Sequence, residues 1–580
     1  MHLADQHQVL VLGMGISGLA MARWCARRGD KVTLVDSRSD GALLDRVRSE
    51  MPGVDVQQRP LDTELMTVAP WAMIYVSPGL SPSDLSEVSN WADAHTVRVC
   101  GELDLFIEGL RVHEPAPEPI SEALDAEIEV EIEPEADVDA EAEAEAEAEA
   151  DVDVDVDVDV DVDVDADVDE DPETPASGPI DPITPAVTVK SRAPKVLAVT
   201  GTNGKTTVTA LTHHLLRWAG VQAVAAGNIG PSMLDALMAC LDNNEWPAVW
   251  VLELSSFQLA RANDFNPSAA TILNISQDHM DWHGDMAAYG AAKQRIFGNT
   301  SLRVLNRDDG ESMRSQPPPP PVLKRKERPV PGPTWESFGA DAPTRPGDWG
   351  LEETNGLTWL VRAQAVDEVV RAGKKDAAPV EVFLQRLMPA DALRIRGRHN
   401  ACNALAALAL ATAGGGALGP MLHALREYVG EPHRVQPVGV IGDVEYIDDS
   451  KGTNVGATLA ALHSLGAERR LVVILGGDGK GQDFSVLRDA VRRYARAVVL
   501  MGRDAGLIGD TLRDTGVPLL PATDMVDAVQ QAAAAAKVGD VVLLSPACAS
   551  FDMYRNYLAR ATAFTDAVTT LAENNGEVRV

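Results

Sequence analysis

The stretch 200–207, which reads TGTNGKTT, constrains the fold of this chain more than any other. It follows the apolar run 196–199 and precedes an amphipathic segment that extends to Trp218. A strand that leads through a glycine-rich turn into a helix directs backbone N–H groups and the positive end of the helix dipole at one spot, where phosphate binds. Lys205 is then placed to reach the terminal phosphates of a nucleotide, and the Thr206 hydroxyl to contact Mg²⁺. We therefore predict a nucleoside triphosphate site on an α/β domain.

This stretch departs from the strict G-x-x-x-x-G-K-[ST] pattern, because Val199 occupies the position of the first glycine. The alternative interpretation is a glycine-containing turn between a strand and a helix, in which Lys205 is merely solvated. The strand, turn and helix context favours the phosphate site.

Two later strands carry candidate metal ligands. The apolar run 248–254 contains Glu253 near its carboxyl end, where ligands bind in a parallel sheet and where an unpartnered buried acid would be costly. A second run, 270–275, leads into QDHMDWH at 277–283. The acids and histidines of that segment either ligate a metal or are ordinary polar turn residues, and the sequence leaves both interpretations open.

The N-terminal segment shows a second phosphate-binding pattern. The run 8–12 predicts a buried parallel strand, and GMGISG at 13–18 opens a helix that extends to Arg28. The next strand ends at Asp36, 18 residues after Gly18. Such glycines admit a diphosphate to a helix N-terminus, and the acid is placed to bind a ribose hydroxyl. NAD and a UDP-sugar fit equally well, and the glycines could instead serve only close packing of helix and strand.

The formal net charge of −37 arises mainly from one tract. Of the 87 acidic residues, 29 lie between positions 114 and 173 in Glu-Ala and Asp-Val repeats without Lys or Arg, which leaves 58 acidic against 50 basic residues elsewhere. Carboxylates of one sign repel each other, so we predict a disordered linker over 113–193. The remainder lacks the basic surplus that nucleic-acid binding requires, and we expect no nucleic-acid partner.

The cysteines and the apolar runs predict a cytoplasmic protein without a membrane segment. The five cysteines are scattered and form no C-x-x-C pair, which favours reduced thiols. The N-terminus lacks a basic signal segment. The longest apolar stretch, 401–413, is interrupted by Asn403 and is too short to cross a bilayer.

The second half of the chain predicts another α/β region. A proline-rich segment at about 311–345 is expected to be a surface insertion, and a long Ala-rich helix begins near residue 397. Strands are predicted at 471–475, 497–501 and 541–544. Each ends in a turn of small and polar residues, so we expect a doubly wound sheet with ligand groups along one edge.

Taken together, six motifs of this chain resemble those of the Mur ligases, and within that family those of the D-glutamate-adding members. The motifs are TGTNGKTT (200–207), GNIG (227–230), LELSSFQL (252–259), QDHMD (277–281), DSKGTN (449–454) and SPACASFD (545–552). The resemblance covers nearly all of the chain except the acidic tract and the proline-rich segment.

The resemblance implies an α/β fold with the three-domain Mur ligase architecture. A Rossmann-like domain (1–112) would bind the UDP substrate, a P-loop ATPase domain (194–430) would bind ATP, and a Rossmann-like C-terminal domain (431–580) would bind the amino acid, with the acidic linker as a disordered insertion. ATP would phosphorylate the carboxylate of UDP-N-acetylmuramoyl-L-alanine. The D-glutamate amine would then attack the acyl phosphate through a tetrahedral intermediate, in peptidoglycan precursor synthesis. We expect a monomer.

The resemblance also implies the site residues. The catalytic residues would be Lys205, Asn228, His279 and Lys293. ATP would bind Gly201, Thr202, Asn203, Gly204, Lys205, Thr206, Thr207, Asn403, Arg434 and Asp449. Two Mg²⁺ ions would be held by Thr206, Glu253, His279 and Lys293, the last of them carbamylated by CO₂. The UDP substrate would bind Gly15, Ile16, Ser17, Asp36, Ser37 and Gly79, and D-glutamate would bind Lys451, Thr453, Lys480, Ser550 and Phe551.

Other functions explain less of the chain. A dehydrogenase accounts only for residues 13–36 and leaves Lys205 without a role. A non-catalytic scaffold leaves the metal-ligand candidates without one. Within the family, the alternative is a member that adds L-alanine or a diamino acid, but the Asp-Asn-Pro-Arg motif expected of a diaminopimelate-adding enzyme is absent from this sequence.

Overall fold

A computed structural model of the protein describes residues 7–38, 41–113, 193–299, 301–318, 332–366 and 381–576. The predicted acidic linker lies outside these residues except at its two ends. No helix within the described ranges is both long and apolar enough to cross a membrane.

The N-terminal sheet is parallel and consists of β1 Gln8–Leu12, β2 Lys31–Asp36, β3 Asp55–Gln58, β4 Met73–Val76 and β5 Arg98–Cys100. Its helices are α1 Ile16–Arg28, α2 Gly41–Glu50, α3 Thr63–Thr67, α4 Ser86–His95 and α5 Glu102–Val112. The strand order is β3-β2-β1-β4-β5. The predicted strands at 8–12 and 31–36 are confirmed as β1 and β2, and the inner residues of both are buried, as in strands that are covered on both faces.

The central sheet is also parallel. It consists of β6 Lys195–Thr200, β7 Ala223–Gly227, β8 Val249–Glu253, β9 Ala269–Ile272, β10 Leu302–Asn306 and β11 Thr334–Phe338. The order β11-β10-β9-β6-β8-β7 places β6 inside the sheet, next to β8 and β9. Helices α6 Lys205–Trp218, α7 Met233–Asn243, α8 Ser256–Leu259, α9 Met280–His283, α10 Met286–Gln294 and α11 Gly310–Met313 follow these strands.

The proline-rich segment departs from the predicted surface loop. Strand β11 and helix α11 fall inside it, and only 319–331 lie outside the described residues. Strand β11 reads TWESF and pairs in parallel with β10 at the edge of the central sheet. Aromatic and β-branched residues favour a strand, and the neighbouring prolines had hidden this short one.

Residues 349–389, for which no strand was predicted, form an antiparallel sheet of β12 Trp349–Thr354, β13 Leu357–Ala365 and β14 Val382–Pro389. Its buried residues Leu351, Leu360 and Met388 join one apolar core with the Ala-rich helix α12 Arg398–Gly414. This helix packs along α6, which brings its first turn beside the phosphate loop. Helix α13 Leu418–Glu427 follows it.

The C-terminal sheet consists of β15 Gln436–Ile441, β16 Val444–Asp448, β17 Leu471–Gly476, β18 Ala495–Met501, β19 Leu519–Pro521 and β20 Val541–Leu544. Its helices are α14 Val455–Gly466, α15 Arg488–Tyr494, α16 Ala505–Leu512, α17 Met525–Ala535 and α18 Tyr557–Asn574. The order is β15-β16-β20-β17-β18-β19, with β15 antiparallel to β16. The predicted strands β17, β18 and β20 are confirmed, and so is the α/β class of the chain.

The N-terminal and central regions share one apolar core. Helices α1 and α5 pack against α7, and the rings of Phe106 and Trp250 meet edge to face at 5.0 Å. Trp24 and Leu237 are buried in the same cluster. This shared core sets the distance between the glycine turn after β1 and the phosphate loop after β6.

Candidate active site

The phosphate loop has the predicted strand–turn–helix geometry. Strand β6 ends at Thr200, and α6 begins at Lys205 directly after Gly204, whose φ is 83°. Any residue other than glycine would be strained there, and a Cβ would lie 2.9 Å from the Asn403 Oδ1 atom. No side chain of the described residues caps the first backbone N–H groups of α6, which point out of the helix toward the turn.

Lys205 lies across this turn. Its Nζ atom donates to the carbonyl oxygens of Gly201 at 2.9 Å and Thr202 at 2.7 Å. Burial lowers the pKa of its ammonium group, and the nearby Glu253 carboxylate opposes that shift. A flexible cation next to free N–H groups suits the terminal phosphates of a nucleotide.

Glu253 has the character of a metal ligand. It ends β8, is almost fully buried, and accepts a 2.7 Å hydrogen bond from Asn228 Nδ2 through Oε1. Its Oε2 atom is buried and has no hydrogen-bond partner among the described residues. An unpartnered buried carboxylate oxygen is costly, whereas Mg²⁺ prefers oxygen ligands. Glu253 therefore fits a ligand of a divalent cation.

Lys293 lies in the last turn of α10 and is almost fully buried. Its Nζ atom donates to the Gly201 carbonyl at 2.9 Å, lies 3.5 Å from Thr200 Oγ1, and stands 4.6 Å from the centre of the Tyr289 ring. Burial and the charge of Lys205 hold the pKa of its ammonium well below the usual value. Two lysines thus converge on one loop.

The histidines of the segment 277–283 lie in different surroundings. His279 precedes α9 with a φ of 57°, and burial lowers the pKa of its ring while the charges of Lys205, Lys293 and Lys480 act on it. His283 instead contacts Ser256 Oγ at 2.9 Å. Among the residues that the structure describes, no three acid, histidine or cysteine side chains gather to hold a metal. The charge of Lys293 lowers the pKa of both rings, whereas those of Lys205 and Lys480 contribute at His279.

A cavity of about 300 Å³ lies beside the phosphate loop. A volume of this size suits a small ligand. Among its lining residues are six of those predicted to bind ATP, namely Asn203, Gly204, Thr207, Asn403, Arg434 and Asp449. His399 lines it as well, and also lines a second cleft of about 1020 Å³.

Two contacts join the central region to the C-terminal sheet at this cavity. Arg434 Nη2 donates to Thr206 Oγ1 at 2.8 Å, and Asn454 Nδ2 donates to Asn203 Oδ1 at 3.0 Å. No role was predicted for Asn454. Its signal was present, because asparagine is a preferred N-cap and this one caps α14.

The predicted D-glutamate residues lie on turns that are joined by backbone hydrogen bonds. Ala547 N donates to Gly452 O at 3.1 Å, and Asp478 and Ala549 exchange two bonds of 2.9 Å. These bonds bring three turns together. The first carries Lys451 and Thr453, the second carries Lys480, and the third carries Ser550 and Phe551. Ser550 is buried, whereas the Phe551 side chain is 69% exposed. Lys451 lies 5.4 Å from the centre of the Tyr557 ring.

The predicted UDP-substrate residues lie at the carboxyl ends of β1, β2 and β4. Gly15 is the N-cap of α1, and the exposed Ile16 and the partly buried Ser17 form its first turn. Asp36 accepts backbone hydrogen bonds of 2.7 Å from Met14 and Arg38. These two bonds orient the carboxylate and leave lone pairs for a ligand. Ser37 follows Asp36 directly, and Gly79 lies in the turn after β4.

Asp449 has an unusual environment that predicts a pH-dependent stability. Its Oδ2 accepts a 2.7 Å hydrogen bond from Ser545, and burial raises the pKa of the carboxyl to about 7. The unfolded chain then loses this proton near pH 4 and the folded chain only near pH 7, so its contribution to stability falls as pH rises through that window. The free energy of unfolding of Asp449→Asn, relative to that of the wild type, is expected to rise by about 2 kcal/mol when the pH is raised from 5 to 7.5.

Denaturant unfolding of both proteins at the two pH values measures this gain. Asp489→Asn is the control, because Asp489 lies in the same region and its side chain is 94% exposed. A difference between Asp449→Asn and wild type that does not change with pH would contradict the assignment.

Comparison with known proteins identifies three family models in this chain. The "Mur ligase MurD-like, N-terminal domain" matches residues 7–101, the "Mur ligase middle domain" 199–321, and the "Mur ligase, glutamate ligase domain" 433–548. The UDP-N-acetylmuramoylalanine–D-glutamate ligase of Polaromonas is 52% identical over the full length of both chains. That of Burkholderia multivorans is 45% identical over 98% of each. The solved structure of UDP-N-acetylmuramate-alanine ligase MurC from Thermotoga maritima gives a TM-score of 0.49 at 17% identity and covers 97% of this chain and 99% of that one.

Proposed function

Because the chain belongs to the Mur ligase family, we infer that it joins D-glutamate to UDP-N-acetylmuramoyl-L-alanine with conversion of ATP to ADP and phosphate. The observation that carries this inference is the cavity where the phosphate loop meets the C-terminal sheet. Its walls combine the start of α6 with Arg434 and Asp449, which belong to the region that carries the predicted amino-acid site. A nucleotide bound in this cavity would therefore contact both the phosphate loop and that region.

The nucleotide is held by the phosphate loop and the first turn of α12. Lys205 exchanges its two carbonyl partners for phosphate oxygens, and Arg434 adds a second cation on the opposite wall. Asn403 lies next to Gly204 and lines the same cavity, and it is proposed to contact the base. Asp449 lies across that cavity in reach of a ribose hydroxyl.

Thr206, Glu253, His279 and Lys293 are the proposed holders of two Mg²⁺ ions. Bound Mg²⁺ would neutralise the charge that develops on the transferred phosphoryl group. The Oε2 atom of Glu253 supports this role, because it has no hydrogen-bond partner among the described residues. The hydrogen bond from Asn228 to Oε1 holds the carboxylate in place. With Glu253 fixed, Asn228 stands at the edge of the site, where it can contact the acyl phosphate.

Lys293 is proposed to carry a carbamate. The ammonium would first lose one proton; the neutral amine nitrogen would then attack CO₂ to form a C–N bond and release a second proton to solvent, so that a cation becomes an anion. Its burial and the nearness of Lys205 support this, because an uncharged or anionic group avoids the repulsion between two buried ammonium groups. The new carboxylate would be an oxygen ligand for Mg²⁺.

D-glutamate is proposed to bind the joined turns of the C-terminal sheet. Lys451 and Lys480 supply two cations for its two carboxylates, and the Ser550 hydroxyl supplies a polar contact. Lys480 is close enough to His279 for its positive charge to lower the pKa of that ring, so this pocket faces the phosphate loop. The amine of D-glutamate can therefore approach a carboxylate that is activated there.

The UDP moiety is proposed to bind the glycine turn after β1, with Asp36 oriented toward its ribose or base. One copy of the described chain supplies each proposed subsite, which favours a monomer. The five cysteines are unpaired, which favours a reducing compartment such as the cytoplasm.

Phosphate release from ATP tests this function. The assay contains UDP-N-acetylmuramoyl-L-alanine and one of D-glutamate, L-glutamate, L-alanine or meso-diaminopimelate. We expect release with D-glutamate at least about a hundredfold faster than with the others, because a site built for two carboxylates in one stereochemistry leaves its polar groups unpaired with the wrong one. Phosphate release with another amino acid would show that the enzyme catalyses a different Mur ligase reaction. No phosphate release with any of the four amino acids would refute the ligase assignment.

A further inference from the structure

A buried amide side chain joins the turns of the proposed amino-acid pocket. Gln482 lies after β17, in the turn that carries Lys480, and it is only 8% exposed. The mechanism proposed above gives it no role. Burying an amide is costly unless its oxygen and its N–H groups find partners, so the contacts of this side chain show what it holds in place.

The two ends of the Gln482 amide contact different turns. Its Oε1 atom accepts a 2.9 Å hydrogen bond from the backbone N–H of Val455, the first residue of α14. Its Nε2 atom donates to the carbonyl oxygen of Gly479 at 3.0 Å and lies 3.5 Å from that of Ala547. Because an N–H group needs an acceptor and a carbonyl needs a donor, these partners allow only one orientation of the amide.

The partners of Gln482 stand beside residues that are proposed to bind D-glutamate. Val455 lies two residues after Thr453, and the Gly479 carbonyl belongs to the peptide bond that precedes Lys480. Lys480 and Ala547 have φ angles of 50° and 58°. Residues other than glycine keep such angles only where their surroundings hold them. The Gln482 amide contacts a carbonyl next to each of the two, so it is one of the groups that hold these turns.

We propose that Gln482 is a positioning residue for D-glutamate. Its amide ties the turn of Lys480 to the start of α14, and Lys451 lies in the turn just before that helix. Gln482 thereby sets the position of one pocket cation relative to the other, and these two cations are the proposed partners of the two carboxylates of the substrate. The proposal rests on the proposed function, because it concerns the same amino-acid site.

Steady-state kinetics of the full-length enzyme test this role, beginning with the wild type, whose turnover with D-glutamate checks the proposed function independently. Gln482→Met keeps the length of the side chain but loses its hydrogen bonds, and it is expected to raise KM for D-glutamate about tenfold. KM for ATP and for the UDP substrate should stay within about twofold, since the bonds of Gln482 go to the C-terminal region. A merely structural role would lower the amount of folded enzyme and leave each KM unchanged.

Gln482→Glu tests the donor end of the amide. It keeps an acceptor for the Val455 N–H, but its carboxylate turns an oxygen toward the Gly479 carbonyl in place of the Nε2 donor. Two acceptors then face each other, so KM for D-glutamate should rise at least as much as in Gln482→Met. If Gln482→Met does not fold, Gln482→Asn replaces it, because that amide is one methylene too short to reach both turns.

Gln531→Met is the matched control. Gln531 lies on α17 of the same region and also donates to a backbone carbonyl, that of Pro521 at the end of the edge strand β19. The same substitution there removes the same kind of hydrogen bond away from the pocket turns. Every KM of this variant should remain within about twofold of the wild type.

A double-mutant cycle with Lys480→Ala separates positioning of that cation from packing. If Gln482 acts through Lys480, then Gln482→Met should add at most about twofold to the KM for D-glutamate of the Lys480→Ala enzyme.

Three results would overturn the proposal when the wild type turns over D-glutamate. The first is an unchanged KM for D-glutamate in a folded Gln482→Met or Gln482→Asn enzyme. The second is an equal rise in KM for ATP. The third is full additivity with Lys480→Ala. A wild type that is inactive with D-glutamate would instead refute the proposed function, and this proposal with it.

Discussion

Lys205→Ala is expected to lower the rate of ADP formation by about a hundredfold to a thousandfold, the usual effect of removing one charged group that stabilises a transition state. Among the residues that the structure describes, the hydrogen-bond partners of its Nζ atom are the carbonyl oxygens of Gly201 and Thr202, both on the phosphate loop. The substitution therefore removes the cation nearest the transferred phosphate while leaving the backbone of the turn in place. The free N–H groups of α6 remain, so residual ATP binding is expected.

The measurement is phosphate release at saturating substrates, together with the thermal midpoint of unfolding. Lys31→Ala is the control, because Lys31 is an exposed lysine at the start of β2. A folded Lys205→Ala enzyme with the wild-type rate would refute the assignment of 200–207 as the phosphate loop.

Lys293→Ala is expected to lose about a hundredfold or more in kcat and to recover part of it with a short carboxylic acid such as acetate or propionate. The side chain is buried between the Tyr289 ring and the Thr200 hydroxyl, so its removal leaves a space that a small acid can enter. An acid held there would restore the anionic oxygen ligand that the carbamate is proposed to supply. The rate should therefore rise with acid concentration and reach a plateau.

Lys205→Ala is the matched control for this rescue, because Lys205 contacts the same loop but is needed as a cation. It should gain no activity from the acid. Recovery of Lys293→Ala with methylammonium in place of the acid would show that Lys293 acts as an ammonium group, and an absence of any recovery with acids would likewise contradict the carbamate.

Local sequence patterns predicted much of the parallel sheets. Strands β1, β2, β6, β8, β17 and β20 are short apolar runs bounded by glycine or polar turns, and such runs carry their own signal. Strand β11 and the antiparallel sheet β12-β13-β14 were not predicted. Their residues mix buried, partly buried and exposed positions without regular alternation, and prolines lie beside β11, so no continuous apolar run or clear period was present.

The candidate site likewise has residues that the sequence predicted and contacts that it did not predict. The residues of the phosphate loop are neighbours in the chain, so their spacing alone predicted a phosphate site. The long-range contacts of Asn454 and Glu102 could not be predicted from spacing, because each partner lies far along the chain. Asn454 contacts Asn203, and Glu102 contacts Leu234, 132 positions away.

The sequence by itself determined the local elements of this protein: the strands, the glycine turns that follow them, and the helices that those turns open. These depend on propensities and hydrophobic periods that act over a few residues. Only the tertiary structure decided which turns face each other. Arg434 meets Thr206 across 228 positions, and Asp478 pairs with Ala549, because the packing of whole sheets and helices sets these distances and no local pattern records it.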